Sequence, residues 1–149
     1  MLQWLLAAIH LSALGIGLGA VWTRGRALTG PLDAAGLRRV FAADTWWALA
    51  AVLWIGTGLL RAFAGFEKGT SYYVNNHLFW TKMGLLALVL ALEVRPMVQL
   101  IRWRVDAARG ATVDTAPAPA LARISAAQAV LVLLMVLAAT AMARGYGTP

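Results

Sequence analysis

The chain has 149 residues, room for one domain of ordinary size, with 61% hydrophobic and 13% charged residues and a mean hydropathy of +0.72. Soluble domains run at about 45–50% apolar and about 25% charged, so this balance excludes disorder and argues against a water-soluble globule. The absence of cysteine removes disulfides, thiolate metal sites and cysteine nucleophiles, and the meaning of the +7 net charge depends on where the charges lie.

Four apolar runs follow in order, at residues 2–22, 45–63, 78–101 and 120–143. Each reaches the ~20 residues that a helix needs to cross a hydrocarbon core of ~30 Å. None shows the short alternating pattern of a barrel strand. The first run lacks a basic leader and leads into Trp22-Thr23-Arg24-Gly25-Arg26 rather than a small-residue cleavage site, so it reads as a retained helix. The expected fold is all-α: a single domain over residues 1–149, an integral membrane four-helix bundle.

The connections differ in kind. In residues 23–44, Pro31 and Asp33 suit a helix start, and Leu37, Val40 and Phe41 line one face. A short interfacial helix is predicted there, turning into the second span. Residues 64–77 are polar and aromatic, with Gly65, Gly69, Ser71, Tyr72, Tyr73, Asn75 and Asn76. Residues 112–119 read as a flexible Ala/Pro/Thr linker.

Charge then sets orientation. Arg24, Arg26, Arg38, Arg39, Arg102, Arg104, Arg109 and Arg123 lie on one side, against Arg61, Lys68 and Arg144 on the other. Eight against three places the first and third connections in the cytoplasm and both termini outside, as for a multi-pass protein of a bacterial inner membrane. The basic balance is therefore a membrane signature, and nucleic acid is not expected as a partner. Trp4 and Trp80 at the outer ends, with Trp22, Trp46, Trp47 and Trp103 at the inner ends, form the expected aromatic belts, while Trp54 at mid-depth is assigned to packing. Ala8, Ser12, Gly15 and Gly19 form a small-residue stripe expected to pack against another helix; Gly56, Gly58 and several alanines of the fourth span have the same expected use.

The informative residues are the ionisable ones inside the spans, where each is costly and tends to face the bundle interior. His10 lies ~12 Å along the first span at 1.5 Å per residue. Gly17, seven positions on, returns to the same face and leaves room for a flat ligand; the alternative for His10 is a neutral imidazole bonded to a neighbouring helix. Lys82 either snorkels to the outer interface or faces inward. Glu93, eleven residues on, shares its face ~16 Å deeper, which makes Lys82 and Glu93 the candidate catalytic residues. Arg95, before Pro96, has Glu93, Asp44 or lipid phosphate as candidate partners. Asp44 and Arg61 mark the ends of the second span, and His77 caps the third from the solvent side.

The run Leu78-Phe79-Trp80-Thr81-Lys82-Met83-Gly84, continuing through Pro96 to Arg102-Trp103-Arg104, resembles a bacterial family of small predicted four-span membrane proteins of unknown function. With His10 and the basic first connection, the resemblance covers nearly the whole chain. More distantly, the layout is similar to HemJ-type protoporphyrinogen oxidases and CopD-like membrane domains. His10 matches the first-span histidine of the HemJ type, and Lys82, after the aromatic Trp80, matches its lysine. That resemblance implies a b-type haem, with His10 as metal ligand and Lys82 as a further cofactor-binding residue, and a membrane oxidoreductase drawing on a small-molecule or electron-transfer partner; Gly17, by its spacing from His10, is the further residue expected to border the cofactor. Two other readings compete: a small transporter or efflux subunit whose polar path would call for a homodimer, and a non-catalytic assembly partner in the lipid bilayer.

The orientation has a direct test, because the chain carries no cysteine of its own. Ser71→Cys is expected to react with an impermeant thiol reagent in intact cells, and Thr112→Cys only after lysis. The reverse pattern would invert the topology.

Overall fold

The computed structural model describes residues 1–64 and 70–147. Five helices follow one another: α1 Leu2–Leu28, α2 Ala34–Phe63, α3 Thr70–Val74, α4 His77–Ala108 and α5 Ala118–Ala143, with no strand among the described residues. All but α3 are long and apolar enough to cross a bilayer, so the expected all-helical bundle stands. Its helices carry apolar side chains outward as well as inward. Leu49, Val52, Leu88, Leu90, Leu133 and Leu137 are exposed on the outside of the bundle, as suits a surface solvated by acyl chains.

The interfacial helix and the second span are one continuous helix. The turn at Gly30 and Pro31 ends in Asp33, which is extended and accepts the Gly36 N–H at 2.7 Å, an N-cap that satisfies one of the first-turn donors. From there no breaker intervenes. Thr45, expected to open the span, lies inside the helix and bonds its hydroxyl back to the Phe41 carbonyl at 2.9 Å. At the start of α4, Asn76 is fully buried; it accepts the Leu78 N–H at 2.9 Å and donates to the Tyr146 carbonyl at 3.0 Å, tying the chain after α5 to the head of α4. The short α3 falls in the connection read as polar and aromatic, whose Gly65, Lys68 and Gly69 lie outside the described residues. The Ala/Pro/Thr segment is not a free linker: Val113 packs on the core, and Ala118 and Leu121 are part of it.

Around the bundle, α1 packs along α2 and α5, and α5 along α4, giving the order α2–α1–α5–α4; α2 and α4 share no comparable packed stretch. The core has three apolar clusters. Leu28, Val40, Leu100, Trp103 and Leu121 fill the end away from α3. Val21, Trp47, Trp54, Val89 and Met135 fill the middle. Ala62, Tyr73, Phe79 and Met142 close the α3 end. Two of the expected belt tryptophans are therefore core: Trp47 is 4% and Trp103 1% exposed, whereas Trp4, Trp22, Trp46 and Trp80 remain outside.

The small-residue stripe also faces the other way. Ser12, Gly15 and Gly19 are exposed, and a Cβ added at Gly15, Gly19 or Gly56 meets nothing. The close helix contacts are made one face round. A Cβ at Gly17 would sit 3.3 Å from the Ala50 Cβ, and one at Gly25 3.2 Å from the Ser125 Cβ. The space expected beside Gly17 for a flat ligand is filled by Trp47 and Ala50 of α2.

Gly36 offers a clean test of the α1–α2 turn, because a Cβ there would run into the Pro31 carbonyl. Gly36→Ala is expected to destabilise by about 1–3 kcal/mol through overpacking against backbone. Gly56→Ala, in open space within α2, should be neutral or stabilise by up to about 1 kcal/mol as a helix-interior glycine replacement. Thermal unfolding of the two variants in one detergent distinguishes them, and equal midpoints would contradict the packing.

Candidate functional site

The polar side chains inside the bundle form two groups. The first centres on Arg24, read in the sequence as a loop cation but here in the last turns of α1 and fully buried. Its Nε donates to Ser125 Oγ at 3.1 Å. Its Nη1 donates to Asp44 Oδ1 and to Glu93 Oε1, each at 2.8 Å. Its Nη2 donates to Glu93 Oε2 at 2.9 Å and to Gln128 Oε1 at 2.8 Å. A guanidinium has five N–H donors, and all five are engaged, two of them in a bidentate fork on Glu93 of the kind that makes arginine–carboxylate pairs strong. The partners come from α2, α4 and α5, so one side chain joins all four long helices.

The second layer of contacts completes the cluster. The Gln128 amide donates to Glu93 Oε2 at 2.7 Å and to the Val89 carbonyl at 3.1 Å. Asp44 Oδ2 takes a second cation, Arg104 Nη2, at 2.9 Å. Arg104 also donates to the Phe41 carbonyl at 2.9 Å and lies 5.1 Å from the Phe41 ring centroid. Two guanidinium groups thus face two carboxylates, and the cluster is neutral as a whole. Neither Asp44 nor Glu93 is a boundary charge or a free carboxylate, and Arg95, the expected neighbour of Glu93, is exposed on the outside of α4.

The second group lies toward α3. A cavity of about 340 Å³ is walled by all four long helices and roofed by Tyr72 and Tyr73 of α3. Leu14, Leu86 and Met135 line its deeper part, and Arg61, Lys82 and His10 are its basic side chains, with no aspartate or glutamate among the described lining residues. Its lining reaches Leu11, Leu59 and Phe63, which are 62%, 51% and 50% exposed, so the cavity meets the lipid-facing surface.

His10 is held from both ring nitrogens by α2. Trp54 Nε1 donates to His10 Nε2 at 3.1 Å, and His10 Nδ1 lies 3.0 Å from Thr57 Oγ1. The Thr57 hydroxyl already donates to the Leu53 carbonyl at 2.6 Å, so it accepts from an Nδ1–H, and the imidazole is the neutral Nδ1–H tautomer. Gly58 makes the room for it: a Cβ there would stand 3.1 Å from His10 Cε1. Iron ligation through Nε2 would require the Trp54 N–H to leave, and Gly17 lines no part of this cavity. His77 is exposed at the head of α4 and is likewise absent from the lining. Among the described residues no group of three or more His, Cys, Asp or Glu side chains gathers at one point.

Lys82 and Glu93 do share the inward face of α4, but they serve different groups: Lys82 lines the cavity and Glu93 grips Arg24. The structure does not bring them together as a catalytic pair. Sequence reading missed Arg24, Ser125, Gln128 and Thr57. The available signals were Arg24 standing fourteen residues after His10, close to the same helical face, and a glutamine in the most apolar span.

Fold and site together define a helical integral membrane protein whose buried ion cluster locks one end and whose other end holds a cavity. The model of a family described as predicted membrane protein (DUF2214) matches residues 2–147, and the chain belongs to that family. No curated protein and no solved structure matches the chain. The likeness to the HemJ type is not shown by these comparisons, and of the residues it is drawn from, Trp80 is exposed and donates to the Val74 carbonyl at 2.9 Å rather than facing the cavity.

Removing Arg24 would leave Glu93 without a cation and Asp44 with Arg104 alone. Arg24→Leu is expected to cost about 3–5 kcal/mol, the range for breaking one side of a buried pair, and Arg24→Lys to recover little, because an ammonium cannot make the fork on Glu93. Combining Arg24→Leu with Glu93→Leu should be less damaging than the sum of the single changes by about 0.5–3 kcal/mol. Additive losses in thermal unfolding would show that the two side chains do not act as a unit.

Proposed function

We propose that the protein binds a small, largely apolar molecule that enters its cavity from the bilayer. The observation that carries this reading is the cavity itself. It lies at the lower end of the ~300–1,000 Å³ range of small-molecule sites, and like them it has mostly apolar and aromatic walls with a few convergent polar groups. Its continuity with exposed Leu11, Leu59 and Phe63 makes acyl-chain solvent the natural route in. Redox catalysis on a haem fits these residues less well, since both nitrogens of His10 are engaged by α2. Acid–base catalysis by Lys82 with Glu93 would need Glu93 to leave Arg24.

The test is photolabelling in phosphatidylcholine vesicles with a diazirine-bearing hexadecanol, followed by peptide mapping. Labelling at Leu86 and Met135 is expected to saturate and to be displaced by unlabelled hexadecanol, while labelling at lipid-facing Leu49 and Leu133 should not. Ala139→Trp, which fills the cavity, should abolish the saturable component. Uniform, non-saturable labelling would overturn the proposal. A Soret band in the purified protein that His10→Ala removes would replace it with the haem reading.

A further inference from the structure

Resting on that reading of the cavity, we infer that its ligand is a single-chain amphiphile whose anionic head, a carboxylate or a phosphate, is bound at Lys82. The cavity is graded along the bundle. At 1.5 Å per residue, Lys82 stands ~8 Å from the head of α4. Arg61 lies in the last turn of α2, so two cationic side chains lie toward the α3 end. Below them Leu14, Leu86 and Met135 offer only apolar surface. His10, beside them, is neutral and fully engaged, so it supplies no counter-charge.

Lys82 is half-buried, and among the described residues it has no hydrogen bond and no carboxylate partner. A cation in an apolar cavity at membrane depth is costly unless an anion or water meets it. Arg24, which is fully buried, shows how this chain meets that cost: it is matched by two carboxylates supplied by neighbouring helices. For Lys82 the described part of the chain supplies none, and a ligand entering tail-down would bring its own. The volume, about 340 Å³, suits one chain rather than the two of a diacyl lipid. A carboxylate accepts hydrogen bonds from an ammonium, whereas the hydroxyl of an alcohol of equal chain length offers no charge. The site should therefore discriminate between the two.

The experiment uses delipidated full-length protein in detergent, titrated with hexadecanoate, hexadecanol and 1-palmitoyl lysophosphatidate and read by native mass spectrometry. At least one of the two anions is expected to bind about tenfold or more tighter than the alcohol, the scale of a charge-assisted hydrogen bond. The tighter anion names the head group as carboxylate or phosphate. Lys82→Leu should bring anion and alcohol to equal affinity while the alcohol still binds, and Lys82→Arg should keep the preference. Equal binding of all three by the wild-type protein would overturn the anionic head, and a preference that survives in Lys82→Leu would overturn its placement at Lys82; either result leaves the cavity reading intact. Failure of all three ligands to bind would overturn the cavity reading, and this inference with it.

Discussion

The Arg24 side chain is the point at which the four long helices are fastened to one another. Membrane helices gain little from burying apolar surface against one another, because lipid tails are as apolar as leucine. Nothing in their outward-facing leucines and valines chooses one rotation or depth over another. A guanidinium with five donors does choose. Ser125, Asp44, Glu93 and Gln128 can all reach it only if α2, α4 and α5 stand at one height and one rotation about α1. The close approach of α5 at Gly25 and of α2 at Gly17 is what brings those partners within reach. The second guanidinium, Arg104, balances the charge and ties α4 to α2, two helices that lack a packed stretch of their own.

Fastening one end has a consequence for the other. Around Arg24 and in the cluster of Leu28, Val40, Leu100 and Trp103 the helices meet closely. Toward α3 they enclose a cavity, closed at its end by the cluster of Ala62, Tyr73, Phe79 and Met142. Within the fastened region, between Glu93 and Leu100, α4 passes through the buried Pro96, which leaves the Leu92 carbonyl without its intrahelical donor. The bundle thus separates two tasks that a uniformly packed core of this size would set against each other: holding its shape and leaving room for a guest. Lys82 and Glu93, both on the inward face of α4, fall on opposite sides of that division.

His10 and Lys82 show why an ionisable residue in a span has to be judged by its neighbours. Both are intramembrane and both border the same cavity. His10 is satisfied: Trp54 and Thr57, one turn apart on α2, occupy its two nitrogens, and Gly58 gives it space. Lys82 has no such pair among the described residues. The proposed anionic ligand rests on that difference: Lys82 offers the cavity a cation, whereas both nitrogens of His10 are engaged by α2.

By itself the sequence determined the class, the number of spans and three of the inward polar residues, because hydropathy, span length and the cost of charge in hydrocarbon are properties of single segments. His10, Lys82 and Glu93 were legible in this way, since each interrupts an apolar run. What it did not determine was which of them meet. Arg24 looked like one more loop cation because it sits beside Arg26 at the end of an apolar run, and its burial follows only from three other helices closing around it. Gly15 and Gly19 looked like a contact face and Gly17 like an opening; the structure reverses both, because the rotation of α1 is set by Arg24 and not by the glycines. Pairing across 20, 69 and 104 residues of chain is a property of helix arrangement, and only the tertiary structure decided that Glu93 belongs to the lock and Lys82 to the cavity.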